Sequence, residues 1–271
     1  MAGAATPRAA APPAAPSVAR GATAGPPSTA TWTAAVRDAR TYARSRDARV
    51  RLALQVDGRA WSFRGHETTR AHSLVKVTVL VAYLRRPVVR GRGLTDRERA
   101  LLPSMVRRSA NAPVDELLAA MGGVGPLRRV ARLVGMRDHR PVAPLWATSP
   151  ISATDGARLF ARLPRVLPPR HRAWALGLLR SIAPSQRWGM PRAAPRGWQV
   201  AFKSGWNDHG RVVQAMRLDC GAHVVTASVL VDGDDHDASV AIVEGTGRRL
   251  LQPLRRRGAA TCSSMTPTPG P

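Results

Sequence analysis

Ser73 and Lys76 stand three residues apart, a spacing that brings two side chains to one face of a helical turn. A serine hydroxyl becomes a strong nucleophile when a neighbouring base takes its proton. A lysine can be that base if its surroundings drive the ammonium toward the neutral amine. Val75, Val77, Val79, Leu80 and Val81 provide such apolar surroundings, and Ser73 at the start of the expected helix sits in the positive end of its dipole. Further along, Ser109-Ala110-Asn111 offers a hydroxyl able to relay a proton and an amide able to bind a carbonyl. Lys203-Ser204-Gly205 offers a cation and a hydroxyl suited to a carboxylate, then a glycine that admits close approach of a substrate to the backbone. Ser73, Lys76 and Ser109 are therefore candidate catalytic residues, and Asn111, Lys203, Ser204 and Gly205 candidate binding residues.

Composition singles out the same two lysines. Of 42 basic residues in 271, only Lys76 and Lys203 are lysines. In a chain that otherwise uses arginine for positive charge, a retained lysine points to what arginine cannot do, which is to lose its proton. If Lys203 approaches Lys76, its charge would further lower the Lys76 pKa.

The formal charge of +25 at pH 7 raises the question of polyanion binding. The arginines are scattered in short pairs such as Arg107-Arg108 and Arg128-Arg129, with Arg255-Arg256-Arg257 the one run. They are not interleaved with aromatics, and no nucleic-acid-binding motif accompanies them, so no specific nucleic-acid partner is expected. The seven histidines show no helical pair at metal-ligand spacing, and neither a metal nor a cofactor is expected. Cys220 and Cys262 can form one disulfide or stay as thiols. No stretch reaches membrane-spanning length, and the first residues lack the apolar core of a secretory signal.

Residues 1–29 are rich in Ala and Pro and read as a disordered leader, and residues 258–271 as a loose tail. Between them, residues 30–257 form the expected domain. Thr31 is placed as the N-cap of a helix to about Ser45, with Arg49–Val56 and Arg59–Arg64 as a hairpin about Asp57-Gly58. A helix is expected over Ser73–Tyr83. Helices are then expected at Thr95–Ser109, Pro113–Met121, Gly125–Leu133, Ser152–Leu163 and His171–Ser181. Strands follow at Gln199–Lys203, Arg211–Leu218 and His223–Val231, and a helix at Asp237–Leu251 closes the domain. This order predicts an α+β fold, with an antiparallel sheet built from both chain ends, flanked by helices. An all-helical lobe, about residues 90–190, is inserted in it, and a crevice between the lobes suits a small-molecule site.

The ordered set Ser73-x-x-Lys76, Ser109-Ala110-Asn111, Lys203-Ser204-Gly205 resembles that of the penicillin-recognising serine enzymes, the class A β-lactamases and related DD-peptidases. Trp198–Asp232 looks like the family's sheet, and Thr148-Ser149-Pro150 like the segment after its Ω-shaped loop. The resemblance implies Ser73 as the acylated nucleophile with Lys76 as base, and Ser109 as proton shuttle to the leaving nitrogen. It implies Asn111 on the acyl side-chain amide, Lys203 and Ser204 on the substrate carboxylate, and the N–H groups of Ser73 and Trp206 as oxyanion hole. It also implies a place in the cell envelope or outside it, with a cytoplasmic one left open by the missing signal, and a β-lactam or cell-wall peptide as substrate; a monomer is expected.

The sequence departs from that family in several places. Ala110 stands where Asp is usual, Ser204 replaces Thr, and the first two motifs are only 36 residues apart. Above all, Gly135–Ser149, where class A enzymes carry the Glu that activates the deacylating water, has no Glu. Asp138 and His139 are its only titratable residues besides arginines, and each reads more readily as structural. The expected protein is thus a serine hydrolase that forms an acyl-enzyme on Ser73 and cleaves an amide or ester, with slow turnover or DD-peptidase-like action ahead of efficient β-lactam hydrolysis. The alternatives are a true β-lactamase deacylating through Asp138 or His139, and an inactive homologue that binds anionic polymers through its arginines.

Overall fold

The computed structural model describes Gly3 and residues 27–255. Nearly all of the leader, the tail and Cys262 lie outside the described residues, while Cys220 is buried at the end of a strand.

The described residues form seven strands: β1 Arg49–Val56, β2 Arg59–Phe63, β3 Thr68–Arg70, β4 Pro150–Ser152, β5 Gln199–Trp206, β6 Arg211–Cys220 and β7 His223–Asp232. Five make one antiparallel sheet in the order β2-β1-β7-β6-β5, so the two chain ends meet where β1 pairs with β7. The helices are α1 Thr29–Arg44, α2 Lys76–Leu84, α3 Pro87–Arg90, α4 Asp96–Arg107, α5 Ala112–Ala120, α6 Gly125–Val134, α7 Ala153–Val166, α8 Pro169–Arg180, α9 His236–Leu250 and α10 Gln252–Arg255. The expected α+β architecture is the observed one. Among the described residues no helix is long and apolar enough to cross a membrane.

Side chains on a strand alternate between faces, and on β6 this separates the two layers. A Cβ on Gly156 of α7 would meet Ser228 and Ala215, whereas one on Gly189 would meet Gln214 and Val243 of α9. Ala215 therefore faces α7, and its neighbour Gln214 faces α9, which also packs on α1. Lys203 pairs with Ala215 and Ser204 with Gln214, so the same alternation sends these two adjacent side chains to opposite faces of β5.

Several boundaries differ from the sequence expectations, each for a local reason. Ser28, not Thr31, caps α1: its hydroxyl accepts from the Thr31 N–H, and the helix starts at Thr29, inside the expected leader. Arg64 lies outside β2 at φ +49°. Pro164 does not end α7, which continues to Val166. The strand expected to stop at Lys203 runs on to Trp206, with the Lys-Ser-Gly segment inside it. The short β3–β4 pair was not expected, because three-residue strands carry no readable periodicity. α4 starts where Thr95 and Glu98 form a capping box, and Tyr83 and Arg92 both bond the buried Glu98 carboxylate.

Candidate active site

Ser73 lies not in an α-helix but in a 3-10 turn, His72–Val75, that runs directly into α2. The chain arrives through β3, whose Thr69 hydroxyl donates to Asp232 at 2.6 Å. Asp232 also holds Arg211 at 2.7 Å and Arg51 at 2.9 Å, so one carboxylate at the end of β7 ties β1, β6 and the entry strand together. Burial alone would raise the Asp232 carboxyl, but the Thr69 and Arg211 hydrogen bonds, with the Arg51 charge, hold it below its usual range. His72, next to the serine, has φ +45°, a conformation that costs energy for a residue with a Cβ and is retained where surroundings enforce it. Its pKa is lowered to about 4 by burial and by Arg211 and Arg70, against the pull of Asp232, so it is a neutral imidazole near pH 7.

What enforces this turn is β5. A Cβ on Gly205 would lie 2.6 Å from the Ser73 nitrogen and 2.7 Å from the Ala71 oxygen, both backbone atoms. The glycine thus serves contact between the strand and the Ser73 turn, in addition to any approach of substrate. Gly205→Ala is expected to displace the turn, lowering stability by about 1–3 kcal/mol and slowing reaction at Ser73. Thermal melts combined with active-site labelling would measure both.

Lys76 is fully buried and its Nζ donates to Ser73 Oγ at 2.9 Å, to the Ser109 carbonyl at 2.5 Å and to Asn111 Oδ1 at 2.8 Å. Ser109 Oγ lies 3.3 Å from Lys76 Nζ and accepts from Lys203 Nζ at 3.0 Å, so this hydroxyl bridges the two lysines. Ser109 itself sits at φ +60°, just past the end of α4, a second left-handed non-glycine in the site. The structure thus brings Ser73, Lys76, Ser109, Asn111 and Lys203 into one hydrogen-bonded cluster.

Burial lowers the Lys76 pKa to about 8, while the Asp115 carboxylate partly opposes the shift. Lys203, also fully buried, is lowered to about 7, by burial first and by the Lys76 charge second. Burial lowers both amines, and the repulsion between the two neighbouring cations is mutual. Lys203 Nζ also donates to the Ser204 carbonyl at 2.9 Å.

Ser204 does not share the space of Lys203. Its hydroxyl accepts from Gln214 Nε2 at 2.7 Å on the α9 face, where the same Gln214 amide binds the Trp188 carbonyl and the Met190 N–H. Strand alternation projects the Lys203 and Ser204 side chains from opposite faces of β5. The Trp206 ring also lies on the α9 face, 5.6 Å from that of Trp188 and 6.3 Å from that of His236.

The Trp206 N–H points the other way. Asn207 N–H donates to the Arg211 carbonyl, which makes 207 and 211 a hydrogen-bonded pair. Antiparallel pairs alternate, so Trp206 and Val212 are a non-bonded pair, and the Trp206 N–H and C=O point to the open edge of the sheet. The Ser204 carbonyl, two residues back, shows the same orientation by accepting from Lys203. The Ser73 turn packs against the same strand at Gly205.

Asp138 and His139 have other partners. Asp138 pairs with His66 at 2.8 Å, and His139 Nδ1 bonds the Pro150 carbonyl at 2.8 Å. Neither is hydrogen-bonded to Ser73, Lys76 or Ser109. The residue that this loop does bring to the site is Trp146, whose ring centroid lies 5.2 Å from Lys76 Nζ and whose Nε1 donates to Asp115 at 2.9 Å. Sequence reasoning missed both residues. Asp115 had a readable signal, one helical turn after Asn111, whereas a tryptophan in an aperiodic loop had none.

No family model matches the chain, and no curated protein matches it. Solved structures do. A class A β-lactamase from Mycobacterium abscessus aligns with a TM-score of 0.69 at 17% identity, over 82% of this chain and 99% of that one. PBP-A aligns with a TM-score of 0.69 at 17% identity, over 86% of this chain and 98% of its own. A representative of class A β-lactamase from Bacteroides cellulosilyticus aligns with a TM-score of 0.72 at 12% identity, over 83% and 99%. The chain has the β-lactamase fold. Within a β-lactamase fold, the observed cluster occupies the junction of the Ser73 turn, the non-helical link between α4 and α5, and the edge strand β5.

Proposed function

We propose that this protein is a serine hydrolase of the β-lactamase and penicillin-binding type, which forms an acyl-enzyme on Ser73 with an amide or ester substrate carrying a carboxylate. The observation that carries the proposal is the buried Lys76 Nζ, 2.9 Å from Ser73 Oγ and linked through Ser109 Oγ to Lys203. In its neutral form Lys76 accepts the Ser73 proton as Oγ bonds to the substrate carbonyl carbon. The oxyanion takes the N–H groups of Ser73 and Trp206. As the carbon–nitrogen or carbon–oxygen bond breaks, the Ser109 hydroxyl gives its proton to the leaving atom and regains one from Lys76. Asn111, whose Oδ1 accepts from Lys76, keeps its amide nitrogen as donor for an acyl-chain carbonyl. Lys203 as an ammonium binds the carboxylate, and Ser204 supports its strand from the far face.

Breakdown of the acyl-enzyme is assigned a slow rate. The loop brings the indole of Trp146, not a carboxylate, against Lys76, and Asp115 is engaged by that indole. Incubation with a fluorescent penicillin, followed by mass spectrometry, tests the reading: an adduct on Ser73 that persists is expected. Folded protein that gives no Ser73 adduct with either the penicillin or a fluorophosphonate overturns it.

The two lysine pKa values predict a split pH dependence. Labelling by a fluorophosphonate without a carboxylate needs only neutral Lys76, so its rate should rise through about pH 8. Capture of a penicillin also needs charged Lys203, so its affinity should fall as pH rises through about 7. Rate profiles for the two probes measured side by side check this, and coincident profiles count against separate roles for the lysines.

A further inference from the structure

The segment that carries Trp146 begins with an unneutralised cluster of positive charge. Arg128 and Arg132 lie one turn apart on α6, and Arg137 and Arg140 follow in the next loop. With His139 they line a cavity of about 350 Å³ that has no carboxylate in its wall. All four arginines are exposed, and among the described residues none forms an ion pair. The neighbouring acids are committed elsewhere. Asp155 accepts the backbone N–H groups of Arg137, Asp138 and His139 at 2.9, 2.8 and 2.7 Å, and Asp138 pairs with His66. Arg128 reaches the Pro141 carbonyl, and Arg140 the Arg137 carbonyl, bonds that use a minority of the five N–H groups each guanidinium carries.

In the same cavity wall, His139 is 2% exposed. Its Nδ1 faces the Pro150 carbonyl, which only accepts, so Nδ1 carries the proton and Nε2 presents a lone pair. That buried Nε2 has no partner. Burial holds the imidazole below its ordinary pKa, with Arg140 adding to the effect and the Pro150 bond and Asp155 opposing it. A cavity wall that combines four arginines with a histidine whose Nε2 is unpartnered suits a ligand that is anionic and also carries a proton to share.

We propose that this cavity is a binding site for a phosphate monoester, its terminal oxygens taken by Arg128, Arg132, Arg137 and Arg140 and its remaining proton shared with His139 Nε2. Three terminal oxygens can engage several guanidinium forks at once, where a carboxylate offers only two oxygens. With a second ionisation near pH 6, a monoester supplies the shareable proton, which a diester lacks. The larger cavity against the sheet, lined by Arg158, Arg162, Arg165 and Arg217, fits this chemistry less well. Asp57 is in its wall, and Arg217 is paired with Asp219.

The test titrates the full chain with inorganic phosphate and with glycerol 3-phosphate at constant ionic strength. It follows heat release and the imidazole nitrogen resonances of His139. Saturable binding with a shifted Nε2 resonance is expected, weakened about tenfold or more in Arg132→Gln/Arg140→Gln, since a charge-assisted hydrogen bond contributes about 1.5–3 kcal/mol. Both substitutions are at exposed positions, so a melt unchanged from the wild type certifies the fold. Ser73→Ala should bind phosphate like the wild type, which separates this site from the proposed acylation chemistry. Phosphatidylcholine vesicles containing phosphatidic acid form a second arm. Binding there with the same Arg132 and Arg140 dependence, without binding of the soluble esters, identifies a lipid headgroup as the source of the monoester. An equal response to acetate, an equal response in the double variant, or no saturable response in either arm overturns the proposal.

Discussion

Lys76→Arg and Lys76→Met should each slow acylation of Ser73 by about 10²–10⁴-fold, the usual contribution of a positioned general base. The two variants divide the possible causes between them. Arginine keeps the positive charge but cannot give up its proton, whereas methionine removes the charge and approximates the volume of a side chain that is fully buried. If Lys76 acts only as a fixed cation beside Ser109 and Asn111, the arginine variant should retain most of the rate. If it acts as the base, both should lose it. The rate of fluorophosphonate labelling, with Ser73 occupancy read by mass spectrometry, checks the outcome. Labelling of the arginine variant near the wild-type rate would remove Lys76 from the role of base.

Lys203→Met should make the protein more stable while removing its hold on carboxylate substrates. Lowering a lysine from 10.5 to about 7 corresponds to about 5 kcal/mol of unfavourable burial of the charge. Part of the gain on removing it is offset by the bonds to Ser109 Oγ and the Ser204 carbonyl, which lose their donor. A net stabilisation of about 1–3 kcal/mol is expected, equivalent to about 2–4 °C in melting temperature for each kcal/mol. The pH dependence gives a second readout. The unfolded chain keeps the Lys203 proton up to about pH 10.5, whereas the folded protein releases it through about pH 7. Between these values the unfolded state binds more protons, so wild-type stability should rise with pH. In Lys203→Met the contribution of this residue to that slope should vanish. Denaturant titrations across the window measure it, and a less stable variant with an unchanged slope would contradict the assigned burial cost. A site that lowers the stability of its own fold is what function tends to retain.

Much of the fold was legible because its elements are long and patterned. The alternation of Arg49–Val56 about Asp57-Gly58, the apolar run after Ser73 and the three strands from Gln199 onward led to an antiparallel sheet joined from both ends of the chain, as observed. The cluster around Ser73 was legible for a different reason. Two lysines among 42 basic residues stood out as chemical exceptions, and Ser109 and Asn111 lay in a motif of fixed order. Trp146 and the Asp232 anchor were not legible, since each works through a partner far away in the chain, Lys76 and Thr69, and Gln214 was not because its contact with Ser204 depends on the register of β5 and β6.

Local rules were thus enough for residue types, helix and strand periods and the order of the motifs, because these depend on neighbours within a turn or two of chain. Direction and environment were decided only when the sheet and helices packed together. Packing turned Ser204 away from Lys203, set Gly205 against the Ser73 turn, and stripped water from both lysines. Such outcomes depend on which groups lose water and which charges then face each other, and desolvation is a property of the assembled interior rather than of any stretch of sequence.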